Sequence, residues 1–117
     1  MLYPGLESHP DHAIVQRQMR AGGGMLSFRA TGGQQRAKEL CAATKVFTLA
    51  ESLGGVESLI ELPGLMTHAS VAGSELEVPA ELVRLSVGIE HVDDLIRDLE
   101  HALDSTRALA GSAATTA

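Results

Sequence analysis

Residues 82 to 103 constrain the fold most: an apolar run, LVRLSVGI, passes within a few residues into a helical pattern. Alternate side chains of an extended strand take opposite faces, so Leu85, Val87 and Ile89 share one face and Arg84, Ser86 and Gly88 the other. Glu90, Asp93 and Asp94 load the start of the helix, where negative charge suits the positive end of the dipole. Val92, Leu95, Ile96, Leu99 and Leu103 recur at helical spacing as an apolar stripe. A strand with one apolar face leading into an amphipathic helix predicts a sheet covered by helices on one side.

The upstream chain supplies the other layers. Tyr3-Pro4-Gly5 is turn chemistry, and a helix follows with Ser8 as its expected N-cap and Pro10 in its first turn. Gly22-Gly23-Gly24 ends it. Residues 25 to 30 read as a strand. Thr31 and Gln34 have capping-box spacing ahead of a helix carrying Ala37, Leu40, Cys41 and Thr44 on one face. Val46 to Leu49 and Val56 to Leu62 read as short strands separated by Gly54-Gly55, the second ended by Pro63. The order α-β-α-β-β-β-α predicts an α+β layer: a small, mostly antiparallel sheet with helices on one face and room for some parallel pairing. The domain is expected over residues 1–104. Residues 105–117 are small and polar and are expected to be a disordered tail.

At 117 residues the chain has length for one domain, not two. Aromatics make up 3% and Trp is absent, so the core must be built from Leu, Val, Ile, Ala and Met. A formal net charge of -6 argues against nucleic acid, which needs a basic face, and against an electrostatic hold on anionic lipid. No apolar run reaches the roughly 18 residues of a membrane span. No secretory signal opens the sequence, and Cys41 has no second cysteine to pair with, so a reducing cytoplasm is expected.

Residue chemistry narrows the candidate sites. Arg84 shares its face with small neighbours, Ser86 and Gly88, and has room to offer its fork to a carboxylate; it also fits a strand arginine paired with a nearby acid. Glu51 and Ser52 precede Gly54-Gly55, where backbone can approach a ligand, though on residue chemistry alone a plain hydrophilic turn between strands is the favoured reading. Thr67 could donate to a ligand or cap a helical turn. The five histidines have no tight metal-ligand spacing, and no metal site is expected. The glycine run at 22–24 lacks the Lys-Ser/Thr of a phosphate loop, and no serine has the hydrolase nucleophile context.

Four stretches carry a family resemblance: Tyr3 to Pro10 (YPGLESHP), Phe47 to Gly55 (FTLAESLGG), Met66 to Ser70 (MTHAS) and Leu82 to Glu90 (LVRLSVGIE). In this order they closely resemble the C-terminal domain of the Cys/Met-metabolism enzymes that use pyridoxal phosphate, the cystathionine γ-synthase and γ-lyase members first. The resemblance covers roughly residues 2 to 103. Between Val71 and Leu82 the chain departs from it, with a shorter loop that lacks the usual Gly-Ile before the arginine strand.

The resemblance implies the small C-terminal α+β domain of the aspartate-aminotransferase-like, fold type I, pyridoxal-phosphate enzymes. It puts the substrate-carboxylate arginine at Arg84, the serine beside cofactor and substrate at Ser52 and the active-site threonine at Thr67. Glu51 matches an acid typical of members that form or cleave cystathionine. The implied reaction joins an O-acyl-homoserine and cysteine into cystathionine, with cystathionine cleavage as the alternative and a non-catalytic amino-acid-binding or dimerisation module as another. The family's cofactor-bearing lysine belongs to a large domain not represented in these residues; Lys38 and Lys45 lack its context. The residues alone are therefore expected to be inactive, with no catalytic residue of their own. Expected partners are amino-acid substrates, without nucleic acid or membrane, and the complete enzyme is expected to be a homotetramer.

Overall fold

The computed structural model describes residues 1–66, 73–75 and 77–111. Helix α1 (His12–Gln18) is followed by β1 (Met25–Arg29), α2 (Gly33–Ala43), β2 (Thr48–Leu49), β3 (Leu59–Glu61), β4 (Leu82–Ser86) and α3 (Val92–Ser105). The element order is the one the sequence predicts. The sheet runs β1-β4-β3-β2. β4 pairs antiparallel with β1 and β3, and the short β2 pairs parallel with β3. Leu2 bridges Ser27 and partly covers the outer edge of β1.

Register decides the two faces. Leu26 lies opposite Leu85, Phe28 opposite Val83, and Ile60 opposite Leu85. These residues form one apolar face, against which Ala37, Leu40 and Cys41 of α2 and Leu95, Leu99 and Ala102 of α3 pack. The other face carries the row Ser27, Arg84, Glu61 and, next along, the pair Leu59 and Ser86. Helices therefore cover one side and leave Arg84 on the other.

Several local expectations are corrected. α1 begins one residue after Asp11, not at Ser8, and buries no residue. It is tied down by polar contacts instead: the His12 ring nitrogen Nδ1 meets the Pro4 carbonyl at 3.1 Å, and Tyr3 donates to the Gly23 carbonyl at 2.9 Å. Gly32, at φ 102°, occupies the N-cap of α2, and no side chain caps that helix. Thr31 is diverted because its hydroxyl and carbonyl accept from the buried Arg36, at 2.7 and 3.0 Å.

The apolar stripe of α3 is also rotated from its expected position. Leu95, Asp98 and Ala102 are the buried residues of this helix, while Val92, Ile96 and Leu103 are exposed. The reason is Asp98. Its carboxylate accepts from the backbone N–H groups of Lys45, Val46 and Phe47 at 2.7, 2.8 and 2.9 Å, which turns the helix toward the α2–β2 connection.

Ordered contacts continue past residue 104. Thr106 is buried, its hydroxyl accepts from Arg36 at 3.2 Å, and a 3-10 helix spans Arg107–Gly111. Residues 112–117, the rest of the expected tail, lie outside the described residues. Among the described residues no helix is long and apolar enough to cross a membrane.

Candidate functional site

β4 puts Arg84 at the centre of the uncovered face, between Ser27 on β1 and Glu61 on β3. The Arg84 side chain is 17% exposed and forms an ion pair with Glu61, whose side chain is 1% exposed. Arg84 Nη2 also reaches the Ser52 carbonyl at 3.4 Å. The structure thus brings Arg84 and the Ser52 backbone together, across a loop that is itself exposed from Glu51 to Glu57. Of the two sequence readings of Arg84, the acid partner is present, and it is buried.

Glu51 is exposed in the same loop. Ser52, with Thr48, Ala50, Gly55, Val56, Glu57 and Leu59, lines a cleft of about 440 Å³. Thr67, the remaining candidate, lies outside the described residues.

The loop bearing Glu51 and Ser52 has little apolar packing, so its position depends on polar anchors at the end of β4. Ser86 Oγ accepts from the Gly54 N–H at 2.8 Å. The Ile89 N–H donates to the Val56 carbonyl at 2.9 Å. Glu90 accepts from the Ser58 N–H at 2.9 Å and from the Ser58 hydroxyl at 2.7 Å, and the Gly88 N–H donates to that hydroxyl at 2.8 Å. Gly88 has to be glycine: a Cβ there would collide with the Val56 carbonyl and come within 2.7 Å of the Glu57 carbonyl carbon.

Glu90 therefore does something other than begin a helix. α3 starts at Val92, with His91 as N-cap accepting from the Asp93 N–H at 3.1 Å. Glu90 turns back to Ser58, whose N–H and hydroxyl hold its carboxyl below the usual glutamate range. Ser58, Ser86, Gly88, Glu90 and Glu61 were not singled out as site residues from sequence. Gly88 carried a readable signal, since glycine in a strand-like run marks close backbone approach. Nothing local marked Glu61, because its role depends on cross-strand register.

A family model described as Cys/Met metabolism PLP-dependent enzyme matches residues 1–104. The chain belongs to that family. It is 66% identical over 104 residues to a cystathionine gamma-synthase of Mycobacterium leprae, a match covering 89% of this chain and 27% of that protein. It is 52% identical over 107 residues to a cystathionine gamma-lyase of Dictyostelium discoideum, covering 89% of this chain and 28% of that protein. The solved structure of metB from Corynebacterium glutamicum superposes with a TM-score of 0.85 at 56% identity, covering 88% of this chain and 27% of that one. The resemblance read from four stretches and the α+β fold are thereby borne out. The chain spans about a quarter of the length of the relatives it matches.

Neither of the two lysines stands beside Arg84. Lys38 is exposed on α2, and Lys45 is exposed at the turn held by Asp98 of α3. Both belong to the helical layer, across the sheet from Arg84. Among the described residues, no group of three or more His, Cys, Asp and Glu is arranged to hold a metal ion.

Proposed function

We propose that this chain is the substrate-carboxylate part of a PLP-dependent cystathionine γ-synthase, which works as a cytoplasmic homotetramer. In the complete enzyme a carbon–sulfur bond forms between cysteine and the γ-carbon of an O-acyl-homoserine as the acyloxy group leaves. Arg84 orients the α-carboxylate of the amino-acid substrate, with Ser52, Glu51 and Thr67 lining the same site. PLP, held elsewhere in the enzyme, supplies the electron sink, so these residues alone do not turn over substrate. The observation that carries this reading is the placement of Arg84 on the uncovered sheet face, within reach of the Ser52 loop.

Cleavage of cystathionine is the second reading, favoured by the 52% identical γ-lyase relative. A chimera tests both: residues 1–104 replace the matching stretch of the Mycobacterium leprae relative, and products are followed by mass spectrometry. Cystathionine from O-acyl-homoserine and cysteine is the expected product. Accumulation of cysteine from cystathionine alone supports the lyase instead. Arg84→Ala in the chimera removes at least one charge-assisted hydrogen bond, worth about 1.5–3 kcal/mol, so KM rises roughly 10- to 150-fold. An unchanged KM sinks the role of Arg84. Turnover by this chain alone with added PLP sinks its inactivity, and saturable amino-acid binding by a chain that gives an inactive chimera points to the non-catalytic binding module.

A further inference from the structure

We propose that Glu61 is a built-in counter-ion that restrains Arg84, so that a substrate carboxylate binds by competing with a carboxylate the fold already supplies. The inference rests on Arg84 being the carboxylate-binding residue and adds what sets its strength. Three observations carry it. Glu61 sits directly opposite Arg84 in the β3–β4 register, so the backbone holds the pair together without any loop. Its side chain is 1% exposed, and among the described residues neither oxygen accepts a conventional hydrogen bond, which leaves the guanidinium as its counter-charge. Arg84 meets both Glu61 and the Ser52 carbonyl through the same nitrogen, Nη2.

A buried carboxylate with one guanidinium as its counter-charge is costly to leave without that cation, so Arg84 is held beside Glu61. Both paired edges of a guanidinium, Nε with Nη2 and Nη1 with Nη2, use the nitrogen already engaged here. An incoming carboxylate therefore has to share Nη2 or bind through Nε or Nη1 alone, and it meets a pair of no net charge. Glu61 weakens the site for carboxylates in general and leaves selectivity to groups that recognise the rest of the substrate. It is a positioning residue: it acts through Arg84.

The test is acetate titration of the full chain at constant ionic strength, read by NMR at the Arg84 guanidinium and the Glu61 carboxyl carbon. In wild type both signals should move together, because ligand and Glu61 share one donor group. Glu61→Gln keeps the shape and removes the charge. For carboxylates about 6 Å apart, water-like and near-surface dielectrics bracket the expected tightening at about 3- to 100-fold. Adding Arg84→Gln should abolish the response. A purely structural role for Glu61 would weaken acetate binding instead, and that result, or equal affinity, overturns the proposal. If Glu61→Gln does not fold, the wild-type titration still decides: an Arg84 response with a silent Glu61 overturns it. If Arg84 responds in neither protein, the carboxylate role of Arg84 itself fails, and the inference falls with it.

Discussion

Asp98 offers the most demanding test of how this domain is held together. It is the one charged residue on the buried face of α3, and it accepts from three consecutive backbone N–H groups at 2.7 to 2.9 Å. Asp98→Ala strands those donors. Lys45 is exposed and water can replace the aspartate there, Val46 is half-buried, and Phe47 is buried in the core. Hydrogen bonds to a charged acceptor contribute about 1.5–3 kcal/mol each. Counting the Phe47 bond in full and the others in part, the loss is about 3–5 kcal/mol. A domain of this length is stable by roughly 5–15 kcal/mol, so the variant forfeits a large share of that margin. With an unfolding entropy of about 2.1 cal/mol/K per residue, Tm should fall by roughly 13–22 °C. Asp98→Asn keeps one acceptor and the shape but loses the charge, and should fall between wild type and Ala. Urea unfolding followed by circular dichroism measures the difference. A loss below about 1 kcal/mol at unchanged m-value refutes the reasoning and makes the three contacts incidental to stability.

Two further outcomes follow from titrating groups. Burial pushes the Cys41 thiol up to about 12, so the folded chain should resist a thiol reagent at pH 8 and react only as it unfolds; rapid labelling without denaturant contradicts the packed α2. The Glu90 carboxyl is held low by the Ser58 backbone N–H, the Ser58 hydroxyl and its own backbone N–H, and that of Glu81 is held low chiefly by the Arg29 side chain. Their contribution is present above the ordinary glutamate value of about 4.3 and is lost as pH falls through the lower folded values. Stability should therefore drop with acid below about pH 4.3, and Glu90→Gln should flatten part of that slope; an unaltered slope removes Glu90 from the account.

The fold was legible where short-range chemistry decides it. Strand alternation at Leu85, helical spacing through Ala37, Leu40 and Cys41, and glycine punctuation sufficed for element order and for the side on which Arg84 stands, although β4 ends at Ser86 and Ile89, expected on the face of Leu85, is exposed. Errors arose where a distant partner outbid a local preference. Thr31 had cap spacing, but Arg36 takes its oxygen atoms; Glu90 had helix-start chemistry, but Ser58 takes its carboxylate. The stripe of α3 was misplaced because helical spacing counts apolar residues only and gives no sign that three backbone donors wait for Asp98 across the domain. Composition also gave no hint of the seat of Thr106, which is made by Arg36, 70 positions earlier in the chain.

The same asymmetry governs the site. Residue type and resemblance pointed to Arg84, Glu51 and Ser52 as candidates, but what fixes their relation is a set of anchors that no motif displays. The Ser52 loop is exposed throughout, and a loop of that kind does not hold an atom to a fraction of an ångström by itself. Its ends are fixed to the strand that carries Arg84: Gly54 to Ser86, Val56 to Ile89, and Ser58 to Glu90 and Gly88. Arg84 is fixed in turn by Glu61, one strand away. Loop and arginine are thus referred to one rigid element, β4 with its continuation to Glu90. A substitution at Gly88, two positions beyond the strand and touching no substrate group, would displace the loop relative to Arg84 and disturb the site as surely as a change at Ser52.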